Sequence, residues 1–368
     1  MGLNELALSF VLNVISKLPR NIRESIVPDM LIPPIANNPN KVQLASLGHV
    51  YFEHPDLEQF DAFAVDFGFA VVKKEKGKSF YRGYGKDPFI YVASQSADDA
   101  PHFKGPAFVA KSQEEFDKAK ALPGAQLGSL EDAPGGGQIV TFARAEDTFF
   151  HVIFGQKQRE IDLSSTPSAT HEEVGPWNTP FEKPRKGTFK RFHEGPALIH
   201  KLGHFGYVHR QFDEELKWYT DNFNFVPSDI LHHWDFSNID VMTFMHLDLG
   251  KDYSDHHVFF MQRSPPEVTK TYLHHSSYEV EDLDTQLIGH HWLAKKGWKS
   301  VWGVGRHVLG SQIFDYWQDP SGFKIEHYAD GDLVNVDTET KRDVVGPLSV
   351  WGPELPKDFG EDGTLLLV

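Results

Sequence analysis

An internal repeat constrains the fold of this chain more than any other feature. Residues 47–50, Leu-Gly-His-Val, return as residues 202–205, Leu-Gly-His-Phe, and the two copies align without a gap as far as Asp66 and Asp221. Each copy reads as a short apolar strand, a turn, a helix rich in acidic and aromatic residues, and a second strand. Self-similarity at a fixed offset indicates a duplicated architecture. The sequence therefore predicts two related halves, each with a β-α-β opening.

A weaker copy of this opening lies inside the second half. Residues 273–278, Leu-His-His-Ser-Ser-Tyr, lead into an acidic stretch at 281–285 and a predicted helix that runs to Lys296. We infer that each half is built from paired modules.

Five proline residues between positions 164 and 198 indicate an extended connector between the halves. The arms that flank the halves also contain proline, and we expect them to wrap the other domain or a neighbouring subunit. Residues 3–15 of the first arm read as an amphipathic helix. The predicted organisation is an N-terminal arm (1–45), a metal-free N-terminal module pair (46–163), the connector (164–198), a catalytic C-terminal module pair (199–335) and a C-terminal arm (336–368).

Composition excludes several classes of partner and chemistry. The formal net charge of -16, from 36 basic and 52 acidic residues, argues against binding to nucleic acids or anionic membranes. The absence of cysteine excludes disulfides, thiolate catalysis and iron–sulfur clusters, so any metal must be bound by carboxylates and by some of the 20 histidines. No apolar run reaches the roughly 18 to 20 residues of a membrane span. The N-terminal residues also lack the features of a leader, and we expect a cytoplasmic protein.

One hairpin near the end of the second half carries the most specific signal. Residues 313–326 read as two strands around the turn 319–322, Asp-Pro-Ser-Gly, which fits a type I turn. If the glycine makes the usual bulge, Tyr316 falls directly opposite Glu326 on one face. A plain two-residue loop would instead pair Asp315 with Glu326. The bulged register places a phenol beside a carboxylate within the sheet.

Two histidines can join this carboxylate. His204 and His275 each lie in the opening strand of a module, and in a curved sheet such positions can converge with Glu326. Taken singly, each histidine is more often a core or surface residue, and an isolated Glu326 is more often an exposed charge. Two imidazoles and one carboxylate leave open coordination positions, which suits Fe(II) oxygen chemistry, although zinc in a hydrolase can use the same ligands.

These residues also carry a resemblance to a known family. Roughly from Leu202 to Asp330, the chain resembles the type I extradiol ring-cleavage dioxygenases of the vicinal oxygen chelate superfamily. The matching segments are Leu-Gly-His at 202–204, His-His-Ser-Ser-Tyr at 274–278, Gly-Arg-His at 305–307 and the hairpin at 314–326. The resemblance implies an α+β fold in which repeated βαβββ modules pair into two open-barrel domains. It also implies an Fe(II) cofactor and, commonly, a homo-oligomer.

The resemblance assigns roles to individual residues. It implies metal ligation by His204, His275 and Glu326, and it places His307 and Tyr316 beside the substrate. A catechol must lose protons to chelate iron, and ring opening must return one, so an acid–base imidazole is also needed.

The acid–base histidine is one of two neighbours. Matching the apolar pair that follows it selects His256, while His257 stays open as the alternative. The oxygen side of the site departs from some relatives, because Gly206 stands where they carry a polar side chain. In the first half His49 repeats His204, but residues 105–108 offer no second histidine and residues 149–153 offer no clear glutamate. We therefore predict that the first half is a metal-free copy.

The predicted activity is Fe(II)-dependent cleavage of an aromatic diol by dioxygen. Three alternatives are a 4-hydroxyphenylpyruvate-type dioxygenase, a glyoxalase-like lyase and a non-catalytic module that binds an aromatic ligand. The expected partners are an aromatic diol and O2, with no nucleic acid and no membrane.

Overall fold

The structure is a computed structural model that describes residues 29–161, 177–189, 192–265, 268–356 and 359. The amphipathic helix predicted at residues 3–15 lies outside the described residues, as do parts of the connector and of both arms.

The N-terminal half contains two βαβββ modules. The first consists of β1 (Leu44–His54), α1 (Leu57–Phe67), β2 (Ala70–Glu75), β3 (Lys78–Arg82) and β4 (Tyr91–Gln95). The second consists of β5 (His102–Ala110), α2 (Gln113–Ala121), β6 (Gln126–Ser129), β7 (Gln138–Ala143) and β8 (Phe149–Phe154). Together their strands form one sheet in the order β2-β3-β4-β1-β5-β8-β7-β6.

The C-terminal half repeats this plan. Its first module consists of β9 (Leu202–His209), α3 (Phe212–Asn222), β10 (Phe225–His232), β11 (Asp240–Leu247), the short β12 (Ser254–Asp255) and β13 (Phe259–Arg263). Its second module consists of β14 (Tyr272–Glu279), α4 (Leu283–Lys296), β15 (Lys299–His307), β16 (Ile313–Gln318) and β17 (Lys324–Ala329). The predicted α+β class, with βαβββ modules paired into two open-barrel domains, is confirmed.

The C-terminal arm adds strands to the second half. The short strand β18 (Leu333–Val334) precedes the arm, which itself forms β19 (Lys341–Val344) and β20 (Ser349–Trp351). The ten-stranded sheet has the order β19-β10-β11-β13-β9-β14-β17-β16-β15-β20, while β12 and β18 form a separate pair. The arm therefore occupies both edges of the large sheet, and residues 345–348 connect one edge to the other.

Local sequence explains why the helices begin and end where they do. The Asp56 carboxylate caps the start of α1 by accepting from the Gln59 amide, and Asp282 caps α4 by accepting from Thr285. Gly68 and Gly297 end these two helices in the left-handed conformation that glycine tolerates best.

The two halves pack through a shared apolar core. The Phe67 ring stacks on His327 with 3.8 Å between ring centroids, and the His327 Nε2 donates to the Phe67 carbonyl oxygen at 2.8 Å. The indole nitrogens of Trp292 and Trp298 both donate to Asp66, a residue that the repeat analysis aligned with Asp221. Helix α1 of the first half is thereby fixed against the second half.

Among the described helices, none combines the length and the apolar character that crossing a membrane requires.

Candidate metal centre

Three adjacent strands bring the predicted ligands together. In the register of the large sheet, Ser277 on β14 pairs with His204 on β9 and with Glu326 on β17. His275 lies two residues before Ser277 and therefore projects from the same face of the sheet. Both imidazoles are nearly buried and Glu326 is fully buried. The sheet thus converts three positions that are distant in sequence into one cluster.

The geometry of this cluster fits a metal ion. The ligand atoms of His204, His275 and Glu326 all lie within 4.8 Å of one another. The Nε2 atoms of the two histidines are 3.0 Å apart, and they lie 3.1 and 3.3 Å from the Glu326 Oε2. Despite these short distances, neither carboxylate oxygen has a hydrogen bond of acceptable geometry to any described group. Buried carboxylate oxygens without hydrogen-bond partners are costly, and a cation between the three side chains would satisfy them.

The electrostatics keep Glu326 and His275 in the protonation states that a cation needs. Burial alone would raise the pKa of Glu326, but the surrounding His204, His275 and His307 imidazoles hold it well below its usual range. Burial lowers the pKa of His275 to about 4, against the opposing effect of Glu326. An ionised carboxylate and a neutral imidazole are the forms in which these side chains bind metals.

The hairpin has the bulged register expected from its turn. Gly322 adopts a positive φ of 94°, the Asp319 amide donates to the Phe323 carbonyl oxygen at 2.9 Å, and Tyr316 pairs directly with Glu326. The Tyr316 hydroxyl lies 3.0 Å from the His307 Nε2.

The tautomer of His307 follows from its second contact. Its Nδ1 lies 3.0 Å from the Leu348 carbonyl oxygen, which can only accept, so Nδ1 carries the proton. In the neutral ring Nε2 therefore accepts from the Tyr316 hydroxyl. Burial, followed by the charge of Glu326, raises the pKa of Tyr316 well above its usual value, so this side chain stays a neutral phenol.

The structure places His257, and not His256, on the wall of the cavity beside the cluster. The His257 ring centroid lies 4.2 Å from that of His204. His256 instead points away, with its Nε2 2.7 Å from Asp229 Oδ2 and its Nδ1 3.1 Å from His257 Nδ1. Of the two histidines that the sequence offered for acid–base chemistry, the predicted His256 does not line the cavity and the alternative His257 does, and a group that transfers protons must reach the substrate.

A cavity of about 440 Å³ opens beside the cluster. His204, His275, His307 and Tyr316 line it, and the C-terminal arm covers it with residues 343–348. On β13, Phe260 and Gln262 face the cavity while Met261 packs in the core. The sequence reading missed Gln262 and the covering arm. Strand alternation could have indicated Gln262, but no sequence signal locates the arm.

The glycine that departs from some relatives has a packing role. A Cβ atom on Gly206 would fall far inside van der Waals contact with the Phe260 ring. The Phe260 ring, centred 5.2 Å from the His275 ring, therefore fills the space above this strand. The neighbourhood of the cluster is apolar at this point.

A match to a protein-family model covers the part of the chain that contains this cluster. Residues 201–327 match the Glyoxalase/Bleomycin resistance protein/Dioxygenase superfamily. This matched segment contains all three residues of the cluster, His204, His275 and Glu326. The chain is 28% identical over 200 residues to a curated relative, metapyrocatechase 2 of Cupriavidus necator. The aligned region is 51% of this chain and 58% of that protein, so the match spans little more than half of the relative.

Solved structures share the fold over most of the chain. The Mn(II)-bound glyoxalase of Novosphingobium aromaticivorans has a TM-score of 0.67 and 21% identity, covering 86% of this chain and 93% of its own. A mutant of homoprotocatechuate 2,3-dioxygenase from Brevibacterium fuscum has a TM-score of 0.69 and 16% identity, covering 91% and 84%. The Arthrobacter globiformis homoprotocatechuate 2,3-dioxygenase has a TM-score of 0.68 and 16% identity, covering 91% and 95%. At these identities the likeness establishes the fold.

Proposed function

We propose that the protein is an Fe(II)-dependent extradiol dioxygenase, which opens the ring of a catechol-type diol and incorporates both atoms of O2. The observation that carries this proposal is the convergence of His204, His275 and Glu326 beside an apolar cavity that also contains His257, His307 and Tyr316. The relationship to metapyrocatechase 2 and the fold shared with homoprotocatechuate 2,3-dioxygenases support it.

The three ligands fit a ferrous ion because two imidazoles and one carboxylate form the facial set that leaves positions open for exogenous ligands. When bound, the ion supplies the redox chemistry that joins a diol to dioxygen. His274 supports this ligand set, since its Nδ1 lies 2.7 Å from the His275 Nδ1 and leaves Nε2 of His275 toward Glu326.

His257 is the proposed acid–base residue. Burial, followed by the nearby His204, lowers its pKa well below the usual value, so the imidazole is neutral near pH 7 and can accept a proton from an incoming diol. Its Nδ1 contacts His256, and its Nε2 is the ring nitrogen available for this transfer. His256 then orients the His257 ring, and Asp229 holds His256.

His307 and Tyr316 position the substrate. The Leu348 carbonyl fixes the ring of His307, and the His307 Nε2 in turn accepts from the Tyr316 hydroxyl. The phenol oxygen keeps its lone pairs, which can accept a hydrogen bond from a diol hydroxyl. The surrounding apolar wall excludes water, which strengthens these interactions.

A glyoxalase-type reaction is the second candidate, because the fold is shared with the Mn(II)-bound glyoxalase. Dependence on oxygen separates the two. A 4-hydroxyphenylpyruvate-type dioxygenase would also consume oxygen, but it would act on a keto acid in place of a diol. A non-catalytic binding module would bind a diol and leave it intact.

The test combines metal analysis with a reaction started by oxygen. The purified protein is loaded with Fe(II) and mixed with catechol without oxygen, and air is then admitted. We expect a yellow ring-opened product that forms only with iron and oxygen together, with one O2 consumed per diol. Formation of product without oxygen, or no product from any diol in iron-loaded protein, would contradict the proposal.

A location in the cytoplasm, which was expected from the features of the N-terminal residues, and assembly as a homo-oligomer, which the resemblance implies, both stay predictions.

A further inference from the structure

The cavity beside the metal centre is apolar over most of its wall. The side chains beyond the polar cluster include Leu231, Met242, Phe244, Phe260 and Leu309, which come from the adjacent strands β10, β11 and β13 and from the loop after β15. Its volume of about 440 Å³ is well within the range of about 300 to 1,000 Å³ that is typical of sites for drug-sized ligands. A simple diol ring would leave room here for a substituent in contact with apolar side chains.

Of the described residues that line this cavity, none is a lysine or an arginine. The Lys324 ammonium lies nearby but contacts Phe359, donating to its carbonyl oxygen and lying 5.1 Å from its ring centroid. Lys324 itself lines a different surface cleft. A carboxylate on the substrate would therefore meet no cationic side chain among the described lining residues. Burying an unpaired charge in such surroundings is strongly unfavourable.

The charged side chain that does line the cavity outside the metal cluster is acidic. Asp343 lies on β19 of the C-terminal arm. The residues of this strand are exposed to solvent, and Asp343 lines the cavity where the arm borders it. Its carboxylate oxygen accepts from the Val344 amide at 2.7 Å, so its charge is held in place. A second carboxylate entering past Asp343 would be repelled, and an uncharged diol would not.

Apart from Asp343, the histidines and Tyr316, the polar side chains on the described wall are uncharged amides. Gln262 and Gln312 both line the cavity and are nearly buried, and the Oε1 of each has no hydrogen-bond partner within the described part of the chain. Such groups can serve a neutral polar substituent, but they cannot neutralise a full negative charge.

We propose that this site accepts uncharged aromatic diols with an apolar substituent and discriminates against diols that carry a carboxylate. The inference deepens the proposed ring cleavage and rests on it. It concerns the side chains that surround the substituent of the diol and not those that bind the metal.

The test compares three diols that carry their substituent at the same position of the ring. The compounds are 4-ethylcatechol, 3,4-dihydroxyphenylacetate and the methyl ester of the latter, which restores neutrality at larger size. We expect kcat/KM for the ethyl compound and the ester to exceed that of the carboxylate by about 100-fold or more. Calorimetric titration without oxygen should show the same order of dissociation constants, which makes binding a readout independent of turnover.

A charge introduced at the cavity supplies the matched variant. Val308 lines the cavity yet is half-exposed, so Val308→Lys can keep its stem on the apolar wall and its ammonium in water. We expect Val308→Lys to lower the ratio of kcat/KM for 4-ethylcatechol to kcat/KM for 3,4-dihydroxyphenylacetate by about tenfold. Leu333→Lys adds the same charge at an exposed position that is not among the lining residues, and it should leave the preference unchanged.

The outcomes separate this inference from the proposed function. Similar kcat/KM and similar dissociation constants for the carboxylate and the ethyl compound would overturn the inference while leaving ring cleavage supported. A preference unchanged by Val308→Lys would also count against it. Absence of cleavage with every diol would contradict the proposed function, and the titrations would still decide whether the cavity discriminates by charge.

Discussion

The two halves of this protein carry a histidine at one equivalent ligand position and different residues at the other two. In the C-terminal half, Ser277 pairs with both His204 and Glu326, and His275 stands two residues before Ser277. The corresponding residues of the N-terminal half are Ala107, which pairs with His49 and His151, and Gly105, which stands two residues before Ala107. The fold is thus retained in both halves, while the ligand set is present in one.

The physical reason for the difference lies at Gly105. Its φ is +97°, and a Cβ atom at this position would fall far inside van der Waals contact with the Phe149 carbonyl oxygen. A histidine cannot take this conformation without strain. His151, at the position of Glu326, is also fully engaged, because its Nδ1 accepts from Thr141 and its Nε2 donates to the Lys104 carbonyl oxygen. One group of three potential ligands is found within the described ranges, and it belongs to the second half. A metal-free first half stays a prediction.

The largest expected effect comes from the matched pair His204→Ala and His49→Ala. Removing a metal ligand should lower iron affinity by more than the roughly 10-fold to 100-fold loss seen when a hydrogen-bond partner of a ligand is removed, and ring cleavage should disappear. His49→Ala should keep iron and activity, although it leaves a buried space. Iron content per chain and oxygen uptake are the measurements. Equal iron loss in His204→Ala and His49→Ala would contradict the assignment of the metal site to the second half.

An attempt to rebuild the missing ligand should destabilise the first half. We expect Gly105→His to lower the free energy of unfolding by at least about 2 kcal/mol, because of the strained φ and the contact with the Phe149 carbonyl. Gly105→Ala isolates the effect of the Cβ atom and should give most of the same loss. Urea-induced unfolding measures both. A stable Gly105→His protein that binds a second metal ion would show that the backbone does not explain the lost site.

Tyr316→Phe tests the hydrogen-bonded phenol against its counterpart. We expect kcat to fall by about tenfold with iron content unchanged, because the variant loses a hydrogen-bonding oxygen beside the substrate. The counterpart in the first half is Thr141, which pairs with His151 as Tyr316 pairs with Glu326. Thr141→Val should leave kcat unchanged. An unaltered kcat in Tyr316→Phe would show that the Tyr316 hydroxyl has no part in the proposed reaction.

The smallest expected effect is a change in the pH dependence of stability. Burial lowers the pKa of His151 to about 4, against about 6.5 in the unfolded chain. The unfolded chain therefore binds a proton that the folded chain does not, and the stability conferred by neutral His151 is complete above pH 6.5 and is lost toward pH 4. His151→Gln should reduce the slope of unfolding free energy against pH in this window by about 1 kcal/mol per pH unit.

Unfolding curves between about pH 4.5 and 7 measure this slope. His291→Gln, a substitution of the same kind at an exposed position, controls for the change itself. An identical slope in wild-type protein and in His151→Gln would show that His151 does not couple folding to protons.

Local features of the sequence determined the module plan and one face of the site. The repeat aligned His49 with His204 because equivalent strands preserve the same short motif. The turn at residues 319–322 set the register of its hairpin, since Gly322 supports the bulge that places Tyr316 across from Glu326. Both predictions depend on contacts between residues close in sequence, for which local patterns carry the information.

Tertiary structure decided what depends on long-range placement. The choice between His256 and His257 rests on which ring turns toward β9 and which toward Asp229, and adjacent histidines look alike in sequence. The charge character of the cavity depends on an arm that joins the two edges of the sheet and brings Asp343 and residues 344–348 over the site. Packing between distant segments sets these positions, and no local pattern encodes it.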